Sequence, residues 1–443
     1  MIQINDKQNC CGCEACAQVC PKKCISMKRD AEGFLYPQAN ETICINCGLC
    51  EKVCPVINQY ETRQPNRILA AINKDEEIRS QSSSGGIFTL LAEQTISKGG
   101  VVFGARFDEE WQVEIACAET MDQVASFRGS KYLQARVGDS YRQCKKALED
   151  GRDVMFCGTP CQIAALRLYL HKPYEKLLTV DFICHGVPSP GVWRKYLDEV
   201  VAAGQQAIHD IDFRNKTKGW KRFSFILTIK EGNGMVSILS PLDKNPYMRA
   251  FLNDLILRPS CYQCPAKGGK SYSDITIADF WGVQNVNPSM DDDKGTSLVL
   301  ANTEKGASAI PYDSLYYEVS TEDALKYNSA YYKATMMNPR RSDFFASFER
   351  GENLHLIIEQ ALRPSAKQRF KHLLKTPIQS AKKCIKTVLG RGSKPINGGG
   401  NYDNLRIQVQ KASFKPCSIA FRDKRNGWKH YMLRIDMTIL DGE

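Results

Sequence analysis

The spacing of the cysteines near the N-terminus constrains this chain more than any other feature. In "CCGCEACAQVCPKKC" six thiols fall between Cys10 and Cys24, and Cys10, Cys13, Cys16 and Cys20 stand at C-x2-C-x2-C-x3-C before Pro21. The same pattern returns 34 positions on at Cys44, Cys47, Cys50 and Cys54, before Pro55. Disulfide frameworks belong to short secreted chains. A 443-residue chain opening on "MIQINDKQNC", with no apolar leader, is expected to be cytoplasmic with reduced thiols. Zinc sites use separated pairs, whereas three thiolates on one tight loop and a fourth three residues later suit an iron–sulfur cubane. Cys11 and Cys24 are left over and read as small buried thiols beside such a group. With no run of about 18 apolar residues, no spanning helix is expected.

The double run resembles the bacterial two-[4Fe–4S] ferredoxins, in which the last cysteine of each run serves the other cluster. The resemblance implies that Cys10, Cys13 and Cys16 share a cluster with Cys54, and Cys44, Cys47 and Cys50 with Cys20. Such a module is an electron relay. It occupies only about 60 residues, so the rest of the chain should hold the chemistry.

Charge says less than its total suggests. The formal net charge is +11, but the stretch 364–399 carries nine Lys or Arg and no Asp or Glu, leaving +2 for the remainder. A nucleic-acid footprint over the body is therefore not expected. Within the basic stretch Phe370, Leu373, Leu374, Ile378, Ala381, Ile385, Val388 and Leu389 keep helical spacing. Two short amphipathic helices fit, docked either on the protein's own core or on the inner face of an anionic membrane.

The body reads as alternating strands and helices, with more strand in its second half. "NRILAAI", "VVFGARF", "VMFCG", "LLTVDFIC", "HDIDFR", "FSFILTI", "SDITIADFWG" and "SLVLAN" are expected strands. "SSSGG" (Ser82 to Gly86) reads as the start of a Ser-capped helix, or as a loop whose free amides suit a phosphate. In "GTPCQ", Thr159 is an expected cap, Pro160 takes the first helical position and Gln162 completes a capping box, so that the helix end favours a thiolate at Cys161. Cys184 in "ICHG" and the pair Cys261 and Cys264 in "RPSCYQCPAK" bring the total to four cysteines near strand ends or turns, enough for a third cubane or a zinc ion. Cys157, within "VMFCG", reads as core.

Taken in order, "SSSGG", "RGSKYLQ", "FCGTPCQIAAL", "DFICHGVPSPGVW", "FRNKTKGW" and "CYQC…DITIADFWG" resemble the family of coenzyme F420-reducing hydrogenase and dehydrogenase beta subunits, which includes 7-hydroxymethyl chlorophyll a reductase. The fold this implies is an α/β (α+β) flavoprotein domain with an N-terminal dicluster ferredoxin-like domain. The resemblance also implies FAD beside a third [4Fe–4S] cluster held by Cys161, Cys184, Cys261 and Cys264, with Ser84, Gly85, Gly86, Ser130, Lys131, Tyr132 and Thr159 around the flavin. Lys131 would stabilise the reduced flavin, or is simply a surface lysine; His185 would donate a proton, or is structural. The expected divisions are 1–60 (ferredoxin type), 61–205 and 206–362 (the two parts of the flavoprotein domain), 363–400 (basic helices and Gly-rich linker) and 401–443. The last holds "IAFRDKRNGWK", a partial repeat of "IDFRNKTKGWK" 208 positions earlier, expected to add two strands to a sheet or to pair with a neighbour.

The expected activity is that of an oxidoreductase taking electrons from ferredoxin or another low-potential donor, through the clusters to FAD, and on to a small-molecule acceptor. Related bacterial proteins lie in a polysaccharide-biosynthesis context, which would make that acceptor a glycan precursor. The alternatives are a coenzyme F420-linked dehydrogenase or hydrogenase beta subunit and a pure electron carrier. A homo-oligomer is also within the expectation.

Overall fold

The computed structural model describes residues 1–201, 207–232, 234–311 and 313–364, together with the backbone of 418–423 and 427–432. Two compact units divide the chain, Met1–Arg363 and Pro364–Glu443.

In the first unit the ferredoxin region is built around an antiparallel ribbon of β1 (Ile25–Arg29) and β2 (Leu35–Ala39). Two single-turn helices, Ala15–Val19 and Leu49–Lys52, carry the middle of each cysteine run. The 34-residue repeat in sequence is a repeat in backbone. Gly12 and Asn46 have φ of +69° and +51°, and Glu14 and Gly48 have +60° and +73°.

The body is organised on an eight-stranded sheet. Its strands are β3 (Arg67–Asn73), β4 (Val101–Phe107), β5 (Val113–Ala118), β6 (Val154–Cys157) and β7 (Leu177–Phe182), and, after a separate antiparallel sheet of β8 (Ala207–Asn215), β9 (Ser224–Glu231) and β10 (Gly234–Pro241), β11 (Ile275–Asp279), β12 (Ser297–Ala301) and β13 (Ser314–Glu318). The order across the large sheet is β13-β3-β12-β11-β7-β6-β4-β5. Its centre, β11, β7, β6 and β4, is parallel, and the flanking pairs are antiparallel. Near-continuous apolar strands such as "SLVLA" follow from burial on both faces. Phe103, Phe156, Ile163, Leu166 and Trp193 pack in one core, and Leu69, Leu91, Val102, Met155 and Val180 in another. The parallel strands all end at one edge, so the turns after β6, β7 and β11 lie where ligands bind in open α/β sheets.

Hydrogen bonds fasten the ferredoxin region to this body. The buried Glu14 carboxylate accepts from the amides of Val137 (2.8 Å) and Gly138 (3.2 Å), and Gln18 Oε1 accepts from Tyr141 N at 3.1 Å. Arg341 grips the Glu32 carboxylate at 2.9 and 2.5 Å.

Two local expectations need correction. The helix after "SSSGG" spans Ile87–Ile96 with Gly86 at its cap and no serine capping it. The serine hydroxyls are instead used in tertiary contacts: Ser83 with Ser130 (2.8 Å) and Ser84 with Thr296 O (2.9 Å). The Gly85 amide, read as free for a phosphate, donates to Ser297 Oγ at 3.0 Å. A polar loop threaded between strands finds partners there that a local reading cannot supply.

In the second unit, β14 (Ser418–Asp423) and β15 (Gly427–Met432) pair with each other as a two-stranded antiparallel sheet. The repeat is therefore not conformational throughout. Gly427 and Trp428 lie in a strand, whereas Gly219 and Trp220 lie outside strand, between β8 and β9. The basic helices expected over 364–399 lie, beyond Pro364, outside the described residues. Among the described residues no helix is long and apolar enough to cross a membrane.

Candidate functional site

The ferredoxin region holds two thiol-lined cavities. Cys10, Cys13, Cys16 and Cys54 line one, with Cys11 and Gly12 in its wall. Cys20, Cys44, Cys47 and Cys50 line another, with Cys24 beside them. Each cavity thus collects three thiols of one run and the last of the other. Among the described residues no three potential ligands converge on a point that would take a single ion. The thiols ring a space instead, and that space suits a multi-atom cluster.

Cys161, Cys184, Cys261 and Cys264 come from three elements. Cys161 is in the first turn of the helix Pro160–Leu170, Cys184 follows β7, and Cys261 and Cys264 lie in and just after the 3-10 turn Pro259–Gln263. The four thiols are close enough to perturb one another. Burial pushes Cys184 well up, Lys267 opposes, and Cys261, Cys161 and Cys264 add to the rise. Burial first, with thiol neighbours adding, pushes Cys261 up to about 12 and Cys264 up to about 11. Val187 N–H points at Cys261 Sγ from 3.4 Å, and Lys267 Nζ donates to Cys184 O at 2.5 Å.

At Cys161 the helix end is opposed by a neighbouring thiol and by burial. Pro160 and Gln162 do occupy the capping positions, and Gln162 Oε1 accepts from Thr159 N at 2.9 Å. A helix end is worth only about 1 kcal/mol or less at most sites. A hydrogen bond with Cys11 and then burial outweigh it and push the thiol well up, against the Thr159 hydroxyl at 3.2 Å. Cys11 and Cys13 lie in one packed core, with Cys161 and Cys261 against it. A residue left over in the cysteine count therefore sits between a ferredoxin ligand and the body's cysteines.

Two of the segments expected around a flavin, the serine loop and Ser130–Tyr132, meet each other, and their hub is a residue the sequence reading did not select. Buried Arg214 donates to Tyr132 Oη (3.3 Å), Ser83 O (3.2 Å) and Asp279 Oδ1 (2.9 Å), while its Nε has no partner. Its guanidinium lies 4.0 Å from the Phe223 ring, and Trp281 stacks on Trp220 at 4.8 Å. The only sequence signal for Arg214 was its place in "FRNKTKGW". Lys131 donates to Arg128 O at 2.8 Å and Gly129 O at 3.3 Å, and burial lowers its pKa to about 8. His185 pairs with Asp254 at 2.6 Å and lies edge-on to Phe251, whose other neighbour is Tyr132 at 4.8 Å. An orphaned buried cation donor beside aromatic faces fits a planar, anionic cofactor such as a flavin nucleotide.

Comparison with known proteins follows the same division of the chain. Residues 9–58 match the 4Fe-4S dicluster domain. The coenzyme F420 hydrogenase/dehydrogenase beta subunit is matched in its N-terminal part by residues 68–139 and in its C-terminal part by residues 151–324. A component of the F(420)H(2) dehydrogenase of Methanosarcina mazei is 28% identical over 188 residues, covering 40% of this chain and 53% of that protein. An uncharacterised protein of Methanocaldococcus jannaschii is 26% identical over 195 residues, covering 37% and 53%. The chain thus spans about half the length of the curated relatives it matches. A chain of the F420-reducing [NiFe] hydrogenase complex from Methanosarcina barkeri aligns at 20% identity and a TM-score of 0.40, over 66% of this chain and 91% of that one.

Proposed function

The chain belongs to the family of coenzyme F420 hydrogenase/dehydrogenase beta subunits, and from that premise we propose that it is the flavin-bearing, F420-linked electron-transfer component of an oxidoreductase assembly. FAD, when bound, would exchange an electron pair with the deazaflavin on one side and single electrons with the clusters on the other. This reading is preferred to a ferredoxin-fed reductase acting on a glycan precursor, because the characterised relative is named for the oxidation of reduced F420.

The observation that carries the proposal is the packing of Cys11 and Cys13 in one core with Cys161 and Cys261 against it, together with Arg258, which donates to Cys10 O at 2.7 Å and accepts from Cys261 N at 2.9 Å. It brings the dicluster domain against the four-cysteine site. On the far side of that site, Tyr132 and His185 share Phe251 and so link it to the Arg214 network. In this scheme Cys161, Cys184, Cys261 and Cys264 hold a third [4Fe–4S] cluster. Ser84, Gly85, Gly86, Ser130, Tyr132 and Thr159 shape the flavin site, with Arg214 as its fixed cation. Lys131, easily neutralised at a pKa near 8, exchanges a proton there, and His185 with Asp254 handles a proton at the open side. Partner proteins would supply the acceptor or donor.

The test is anaerobic protein loaded with iron, sulfide and FAD, mixed with reduced F420. Bleaching of the flavin followed by reduction of the clusters is the expected result. Flavin that stays oxidised with F420 but bleaches with reduced ferredoxin would restore the ferredoxin-fed reading. Failure to bind any flavin would leave an electron carrier.

A further inference from the structure

Arg258 is completely buried and touches both cysteine sites. Its backbone belongs to the body: Arg258 N donates to Val187 O, and Arg258 O accepts from Cys261 N, each at 2.9 Å. It therefore opens the turn that carries Cys261 and Cys264. Its side chain belongs to the ferredoxin. Nε donates to Cys10 O at 2.7 Å, and Nη2 to Leu35 O at 2.9 Å and toward Cys10 Sγ at 3.5 Å. Nη1 donates to Gln134 Oε1 at 3.0 Å, and Gln134 Nε2 in turn donates to Cys11 O at 3.2 Å. The Tyr36 ring lies 4.3 Å from the guanidinium.

The two cysteine runs differ where this side chain enters. The position equivalent to Gly12 in the second run is Asn46, which adopts the same left-handed backbone with a side chain. Backbone conformation alone therefore does not demand glycine at 12. A Cβ there would lie 2.7 Å from Arg258 Nη1 and 2.4 Å from Gln134 Nε2. The glycine leaves room for the cation.

We propose that Arg258 is a positioning residue that raises the reduction potential of the Cys10/Cys13/Cys16/Cys54 cluster selectively and holds that cluster against the body's four cysteines. Reduction adds one electron and no proton, so a fixed positive charge and a donor at a ligand sulfur both stabilise the reduced form. Guanidinium stays charged at every working pH. The other cavity has two cations in its wall, but Lys22 is exposed and screened by solvent and the Met1 amino group is neutralised by its ion pair with Glu51 at 2.8 Å. The bias is thus confined to the cluster next to the proposed exit. The inference rests on the dicluster domain and deepens the electron route proposed above.

The experiment compares Arg258→Gln with Arg258→Lys in the full chain, prepared anaerobically with iron counted, by potentiometry followed by electron paramagnetic resonance. Cys47→Ser, at the exposed ligand of the other cluster, identifies which signal is which. Arg258→Gln, which keeps donors and loses charge, should lower the potential of the Cys10 cluster and leave the other unchanged; Arg258→Lys should restore most of the difference. Unchanged potentials at full iron, equal shifts in both clusters, or a lysine variant as low as the glutamine one would overturn the proposal. If Arg258→Gln does not retain iron, Gly12→Ala decides, since it displaces the guanidinium without removing it. That variant must lower the same potential while Gly48→Ala does not, and equal behaviour of the two overturns the proposal. An iron count showing only two clusters would count against the third site while leaving this comparison readable.

Discussion

Gly12→Ala should damage the protein more than Gly48→Ala, and the difference can be worked out from what surrounds each residue. Both glycines have positive φ, +69° and +73°, so alanine costs about 1 kcal/mol or slightly more at either for the left-handed backbone. Nothing lies within 4 Å of a Cβ added at Gly48, so that backbone cost is the whole effect. At Gly12 the new methyl meets Gln134 at 2.4 Å and the Arg258 guanidinium at 2.7 Å. Relieving such overpacking typically costs a further 1–3 kcal/mol or so, because Arg258 is buried and tied by hydrogen bonds at several points. The expected losses are about 1 kcal/mol for Gly48→Ala and about 2–4 kcal/mol for Gly12→Ala. Anaerobic denaturant unfolding of both variants, iron-loaded, measures them. Equal losses, or a larger loss for Gly48→Ala, would refute the close approach of Arg258 to the first cysteine loop.

Replacing Cys264 by Ala should lower iron from about 12 to about 8 atoms per chain and leave the ferredoxin signals intact; an unchanged count near 8 in the parent protein would remove the third cluster. Burial raises Asp181 from 3.8 to about 6, opposed by hydroxyls of Ser271, Thr276 and Ser273 and by the charge of Arg167. The folded state therefore holds this proton more tightly than the unfolded chain, so stability present below pH 4 or so is lost as pH rises through about 6, some 3 kcal/mol in all. Asp181→Asn should be more stable than the parent at about pH 8, with its advantage roughly 1 kcal/mol larger there than at about pH 5. A variant that is equally or less stable at both would show that the carboxylate is solvated or paired.

What the sequence disclosed and what it concealed divide by range. The cysteine runs are local patterns, and their spacing alone pointed to two clusters. The strand of "NRILAAI", the helix opened by Pro160 and the strand of "SLVLAN" were likewise legible, because apolar runs and helix-start signals act over a few residues. Residues whose roles are set by distant partners were not. Arg258 meets Cys10 across 248 positions and Arg214 meets Ser83 across 131, and although each stands inside a quoted motif, nothing local names its partner. The serine loop failed for the same reason: Ser84 and Gly85 are satisfied by Thr296 and Ser297, more than 200 residues on. The two runs share their cysteines, Val19/Val53 and the prolines that follow, and among the positions where they differ the glycine at 12 against Asn46 is one that the packing of Arg258 explains.

The central claim is that electrons pass between the flavin edge and the ferredoxin by way of the four-cysteine site. The most direct measurement is rapid anaerobic reduction by reduced F420, following flavin absorbance and cluster signals together in the parent chain and in Cys161→Ser. The account predicts that the flavin bleaches in both, while the ferredoxin clusters are reduced promptly in the parent and far more slowly in the variant. Clusters reduced at the same rate in both proteins would contradict it.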